Sequence, residues 1–257
     1  MTVFEHFRTE ERPLVERFLD MKEQVSRTYT SQFTDFLDPR EQVIARSVIG
    51  QQDDLRLIFS GGYPAAERKR ALLLAPYAEE ADYPFAISCL EIDYPSKFVS
   101  LTHPQVLGAV LGTGIVRRKI GDFIFSEGRV LLLCTRDVAP YLMTALTSVG
   151  RQKVATRETS GDHLPQTAPE WAEQAGTVSS MRLDAVIAEI YHLSRANSAE
   201  PIERGHVKVN YQLIDKRDFV LHSGDMLSLR GHGRSKIISA SGLTKKNKIR
   251  LVYGKLN

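Results

Sequence analysis

The residues of this sequence best placed to do chemistry are cations gathered toward its C-terminal third. Ser194 stands directly before Arg195, the pattern of a serine that caps a helix and an arginine that opens it. A helix start carries free N–H groups and a partial positive charge, so an arginine there is set for an anion such as phosphate. Further along, His206-Val207-Lys208-Val209-Asn210 alternates like a strand, with the valines on one face and Lys208 on the other. Arg182, Arg204, Arg234 and Lys236 add cations along the same stretch. Such groups hold a phosphate backbone by charge-assisted hydrogen bonds, which position a nucleic acid without reading its sequence. The candidate binding residues are Arg182, Ser194, Arg195, Arg204, His206, Lys208, Asn210, Arg234 and Lys236. Plainer roles compete: Arg182 can pair with Asp184 or Glu189, Asn210 suits a turn, and Lys245, Lys246 and Lys248 read as a solvated hairpin loop.

Other chemistries find less support. The glycines at 112 and 114 give only GTG, with no phosphate loop of the GxxxxGK[ST] kind, and no GxSxG occurs. His206 and His232 lack metal-ligand partners at useful spacing, and Cys89 and Cys134 are too few for a zinc site. Both cysteines sit in apolar, strand-like flanks (ISCLEI, LLLCTR), which points to buried thiols in a reducing cytoplasm rather than to a disulfide. The expectation is a chain with no cofactor, no metal and no enzymatic activity. No apolar run reaches the roughly 20 residues of a membrane span, and MTVFEHFRTEER lacks the layout of a secretory signal.

Charge distribution agrees with the placement of the cations. The 257 residues hold 34 Lys+Arg and 31 Asp+Glu, a net of +3. Residues 181–257 hold 14 of the basic and 7 of the acidic residues, a net of +7, which leaves 20 against 24, a net of −4, for residues 1–180. A concentrated basic patch attracts polyanions, because neutralised phosphates release condensed counterions.

The elements that must position these cations fall into three segments and a linker. Residues 1–75 read as a small helical and mixed domain. A helix over 13–27 puts Leu14, Val15, Phe18, Leu19 and Val25 on one face, and Asp38-Pro39-Arg40-Glu41 spells a capping box before a second helix that Gly50 stops. A strand at 55–60, a turn at 61–64 and a short helical stretch at 65–70 follow. Residues 76–158 alternate: strand 86–94, helix 104–115, strands 122–126 and 129–135 around Glu127-Gly128, helix 139–150, strand 152–158. That β-α-β-β-α-β order predicts a ferredoxin-like, RRM-like domain. The surface aromatics that stack bases in such sheets are not evident, since Phe123 and Phe125 at alternate positions suit a core. Residues 159–180 contain no Lys or Arg and two prolines, and read as a linker with a short helix around Trp171. In residues 181–257, Ser179 or Ser180 is expected to cap a helix over 182–191. A second helix opens on Arg195 and ends at Gly205, and a β segment completes the domain.

The run RLD at 182–184, LSR at 193–195, ERGHVKVN at 203–210 and SGDMLSL at 223–229 resembles the S4 RNA-binding domain. With TDFLDPREQ (34–42), FSGGYPAAERKR (59–70), KIGDFIFSEG (119–128), VSSMRLDAV (178–186) and LRGHGR (229–234), the whole chain is similar to the YlmH family. The resemblance implies an α+β protein: a small helical/mixed N-terminal domain, a ferredoxin-like middle domain and a C-terminal S4 (alpha-L) RNA-binding domain with a β extension. It implies that the two short helices and the following strand make one cationic face for structured RNA. It further implies a cytoplasmic monomer that docks on rRNA of the large ribosomal subunit in rescue of stalled nascent-chain complexes. Peptidyl-tRNA and quality-control factors would be further partners, and a link to cell division goes with them. Asp184 is similar to the aspartate of pseudouridine synthases, which share this module, so an RNA-modifying enzyme is the alternative, beside a division scaffold. The chain departs from the family pattern at Pro201, which predicts a kink or an early helix end near Glu200, at Tyr211 in a turn, and at Ser235.

Overall fold

An apolar residue every third or fourth position builds the first core. The computed structural model describes residues 7, 9–50, 55–126, 128–161, 164, 165 and 171–256, and divides into two units, Met1–Ala168 and Pro169–Asn257. In the first unit, α1 (Arg12–Thr28) buries Val15, Phe18, Met21 and Val25. After β1 (Gln32–Leu37), α2 (Pro39–Ile49) starts on the predicted capping box: Asp38 accepts from the Glu41 N–H at 2.9 Å, and the Glu41 carboxylate accepts from the Asp38 N–H at 2.6 Å. With β2 (Arg56–Ser60) and β3 (Lys69–Leu74) the chain forms an antiparallel sheet of order β1-β3-β2 under these helices. The helical stretch expected at 65–70 is absent; the chain turns and then enters β3, where Lys69 pairs with Leu37 and Arg70 with Phe36. As the central strand, β3 is apolar on both faces through Ala71–Leu74, and such a run has no period that separates strand from helix.

The middle segment follows the predicted order. It comprises β4 (Ile87–Asp93), α3 (His103–Gly112), β5 (Ile120–Ser126), β6 (Arg129–Thr135), α4 (Ala139–Ala145) and β9 (Ala155–Thr159), with a small hairpin of β7 (Ser148–Val149) and β8 (Gln152–Lys153) inserted before the last strand. The sheet runs β5-β6-β4-β9, all neighbours antiparallel, which is the ferredoxin-like arrangement. Leu90, Ile92, Val130, Leu132 and Cys134 face the helices, with Phe123 packed beside them. Cys89, Leu131 and Leu133 face the other way, and that side is closed by Phe36 and Leu164, with Tyr63, Ile87 and Ile124 against it. The surface on which ferredoxin-like RNA domains stack bases is therefore occupied by the protein's own side chains.

A polar joint fixes this closure. Asp122 of β5 accepts from the Tyr63 hydroxyl (2.8 Å) and from the N–H groups of Glu67 (2.7 Å) and Arg68 (3.1 Å). Arg68 in turn donates to the carbonyls of Ile120 and Phe36, both at 3.0 Å, and Arg117 donates to the carbonyls of Ile120 (2.7 Å) and Gly121 (3.2 Å). Burial, helped by the neighbouring Arg68 charge, pulls the Arg117 guanidinium down to about 10. Gly121 has no room for a side chain, since a Cβ would lie 2.8 Å from the Phe36 ring.

Strand alternation also separates the two cysteines. Cys89 pairs with Leu133 and Cys134 with Ser88, which puts the thiols on opposite faces of the sheet. Both are free and buried, and burial raises them to about 11 and about 12 respectively. Iodoacetamide at pH 8 should accordingly label neither cysteine in the folded protein and both in guanidinium; rapid labelling without denaturant would contradict this packing.

The second unit opens with β10 (Ala172–Val178), then α5 (Leu183–Ile190), α6 (Arg195–Glu203), β11 (Val207–Val209), β12 (Gln212–Leu213), β13 (Met226–Leu229), β14 (Gly233–Leu243) and β15 (Ile249–Leu256). Its sheet has the order β10-β15-β14-β13-β11-β12. Leu183, Val186, Ile187, Ile190 and Ile202 of the helices pack with Val207, Val209, Leu227, Leu229, Ile237 and Leu251 of the strands. Residues 172–178, which composition assigns to the linker, are thus a strand paired along its length with β15, and Trp171 enters it directly rather than lying in a helix; residues 166–170 are outside the described set. This edge strand is polar and small for reasons of fit: a Cβ on Gly176 would lie 2.4 Å from Glu189 Oε1, which accepts the Thr177 N–H at 3.1 Å.

Two local expectations also change. The residue that caps α5 is Arg182, not Ser179 or Ser180, and its side chain makes no cap bond. Nor does α6 end near Glu200: it continues through Pro201 to Glu203, and the Arg204 N–H reaches the Glu200 carbonyl at 3.0 Å. A proline removes its own donor and crowds the carbonyl four residues back, yet here the ladder resumes within one turn.

Candidate nucleic-acid interface

The candidate residues fall into two layers of the second unit. In the helical layer, Ser194 caps α6 as expected, its Oγ accepting the Asn197 N–H at 3.2 Å, so Arg195 stands at the first helical position. A helix start leaves early N–H groups without a helical acceptor, which makes it a favourable place for an anion. Arg204 ends α6 and forms an exposed ion pair with Glu200 at 2.8 Å. Arg182 grips Asp184 with two hydrogen bonds, at 3.1 and 3.0 Å. The Arg182 hydrogen bonds hold the Asp184 carboxyl below its usual range, and Asp184 Oδ1 also accepts the Ala185 N–H at 2.9 Å. Both carboxylate oxygens are therefore committed to the start of α5.

In the sheet layer, register does the assembling. Lys208 pairs with Ser228, and Ser228 pairs with Arg234, so one row across three strands carries two of the candidates. Lys236 lies two residues beyond Arg234 on β14, opposite Met226 and Gly254. Because Val207, Val209, Leu227, Leu229 and Ile237 point into the core, alternation sends Lys208, Arg234 and Lys236 to the opposite, open face. Lys208 is exposed and forms no ion pair among the described residues. The resemblance implied one face made of helices and strand; the structure instead sets Lys208, Arg234 and Lys236 on the open face and Arg182, Arg195 and Arg204 in the helical layer behind it.

Asn210 shapes the hairpin, and His206 is held through its backbone. Asn210 has φ 47° and Tyr211 φ 67°, as a two-residue hairpin turn requires. The Asn210 amide donates to Asp225 Oδ1 at 2.8 Å and accepts the Met226 N–H at 2.9 Å, which ties the turn to β13 and leaves one amide N–H and one oxygen lone pair open. The His206 N–H donates to the Pro201 carbonyl at 2.9 Å, and its carbonyl accepts from Arg230 at 3.0 Å. Ser235 is buried and shares a 3.0 Å hydrogen bond with Tyr191.

One cation escaped the sequence reading. Arg250 is exposed on β15, opposite Thr177 and Ser241, and the inward side chains of Ile249 and Leu251 send it to the open face with Lys236. The alternation of IRLVY carries that signal, but only once β15 is known to share a sheet with β14. Trp171 joins the same face by covering Gly254, where a Cβ would lie 2.5 Å from the Trp171 Cβ, with Ile238 beside it.

Three family models match along the chain: "YlmH, N-terminal" over residues 10–78, "Putative RNA-binding domain in YlmH" over 79–162 and "S4 domain" over 181–227. The chain is also 40% identical over 251 residues to "Ribosome-associated protein quality control protein P2" of Bacillus subtilis (strain 168), covering 98% of this chain and 97% of that protein. The chain belongs to the YlmH family. A solved structure, "Cell division protein ylmH from Streptococcus pneumoniae", superposes with a TM-score of 0.53 at 24% identity, over 63% of this chain and 99% of that one, and so attests the YlmH fold. Within this YlmH-family chain the S4 match ends inside β13, so β14, β15 and β10 extend the S4 sheet beyond it. Arg234, Lys236 and Arg250 all stand on that extension. Among the described residues no helix is long and apolar enough to cross a membrane, and no three metal-ligating side chains gather.

Proposed function

We propose that this YlmH-family chain is a non-catalytic, cytoplasmic RNA-binding protein that docks as a monomer on rRNA of the large ribosomal subunit and acts in rescue of stalled nascent-chain complexes. Peptidyl-tRNA and quality-control factors are its further partners. The observation that carries the reading is the open face of the C-terminal sheet, where register gathers Lys208, Arg234 and Lys236, in a segment with a net charge of +7. Arg182, Arg195 and Arg204 offer cations from the helical layer, Arg195 at a capped helix start. The name of the Bacillus subtilis relative agrees with a place at the ribosome. The bonds already made by Asp184 support the non-catalytic reading, since its carboxylate oxygens engage Arg182 and Ala185 rather than standing free to attack a base.

Salt dependence tests this directly. If Arg195, Lys208, Arg234 and Lys236 each neutralise one phosphate, a plot of log affinity for rRNA against log salt falls with a slope of about −3. A flat plot would remove the phosphate backbone as the ligand, and a protein-dependent modified nucleoside after incubation with rRNA would favour an enzyme.

A further inference from the structure

Two tyrosines of the first unit occupy backbone positions at which an aromatic residue is costly. Tyr29 follows α1 with φ 53° and ψ 28°, its N–H reaching the Val25 carbonyl at 2.9 Å, which is the left-handed helix end where glycine is usual. Tyr77 has φ 65° as the third residue of the turn Ala75-Pro76-Tyr77-Ala78, closed by the Ala78 N–H on the Ala75 carbonyl at 3.2 Å. A proline second and a left-handed residue third is a turn that calls for glycine or asparagine there. Neither ring repays its backbone by burial, because Tyr29 is 66% and Tyr77 99% exposed. Both positions lie near one link: the Ala75 N–H donates to Ser31 Oγ at 3.0 Å, and each tyrosine stands two residues from it at one end of the sheet. Arg56 braces the same turn, donating to the Ala78 carbonyl at 3.0 Å.

Bulky residues held in left-handed backbone without local compensation point to a role outside folding. The surroundings indicate what that role is. Glu79, Glu80 and Asp82 are exposed immediately after Tyr77, three carboxylates against the two nearby cations, Arg27 before Tyr29 and Arg56 on the turn. The faces of aromatic rings attract cations, and carboxylates reinforce that attraction while repelling phosphate. We propose that Tyr29 and Tyr77, with Glu79, Glu80 and Asp82, form a docking surface for a lysine- and arginine-rich protein segment. This surface is independent of the RNA reading, and RNA binding elsewhere on the chain leaves it unaffected.

The test uses the full chain and a fluorescein-labelled decapeptide of alternating lysine and arginine, followed by anisotropy, with a uridylate decamer as the nucleic-acid arm. Because residues 181–257 repel a polycation, peptide binding reports on the acidic first unit. Tyr29→Gly with Tyr77→Gly should weaken the peptide at least fivefold while the melting temperature holds or rises, since glycine relieves the backbone at both positions. Glu79→Gln with Glu80→Gln, confined to exposed side chains, should weaken it in the same direction. Failure of the parent to bind the peptide, equal binding by parent and both variants, or a loss of uridylate binding confined to the tyrosine variant would overturn the proposal, the last in favour of a base-stacking surface.

Discussion

Replacing Arg195 and Lys208 together by alanine is expected to abolish co-sedimentation of the chain with large ribosomal subunits and to leave its fold intact. Lys208 is exposed between two buried valines, and Arg195 stands at the first position of a helix that Ser194 caps without it. Alanine suits that helical position, and a change at the exposed Lys208 costs within about 0.5 kcal/mol of stability. Each lost phosphate contact should reduce the salt slope by about 1 and weaken binding to all RNA sequences alike. The paired readout is sedimentation beside a melting curve. Unchanged sedimentation would move the RNA surface away from both layers, whereas loss of sedimentation with a lowered melting temperature would indicate damage to the fold.

The second large effect lies in the other unit. Asp122→Ala strips the acceptor from two backbone N–H groups and the Tyr63 hydroxyl, donors held in the joint that closes the ferredoxin-like sheet. Leaving partly buried donors without partners costs about 1–3 kcal/mol each. A total near about 3 kcal/mol is expected, which in a unit of this size lowers the melting temperature by roughly 6–12 °C. Asp122→Asn keeps one acceptor oxygen but turns an amide NH₂ toward donors, so it should fall between parent and alanine variant. A shift for Asp122→Ala of under 2 °C would show that the joint contributes little.

Much of this architecture is legible in the residues themselves. The capping box at Asp38, the ferredoxin-like order of the middle segment, the capped start of α6 and the outward Lys208 all rest on contacts between near neighbours in sequence, and each stands where its pattern placed it. The errors have a common physical origin. β3 lost its period because it is covered on both sides, and β10 resembled a linker because its small and polar residues make sense only beside Glu189 and β15. The Asp122 joint is hidden for the same reason: FSGGYPAAERKR and KIGDFIFSEG lie far apart in sequence, and only the fold brings Asp122 to the N–H groups of Glu67 and Arg68. A lone carboxylate inside an apolar strand was the available hint. Strand alternation located Lys208, but no local pattern shows that the helices cover the opposite side of its sheet.

The pairing of β10 with β15 bears on how the chain is made. Translation delivers Val178 long before its ladder partner Ile249, and Ala172 longer still before Lys255. In that interval β10 presents an unsatisfied edge, and β14 lacks the neighbour that should lie between them. The cationic sheet therefore cannot be completed by zipping up from its beginning; it waits for β15 to be synthesised and to pair with β14 on one side and β10 on the other. A message truncated before codon 249 would yield a product with two sticky borders, suited to aggregation or degradation rather than to partial activity.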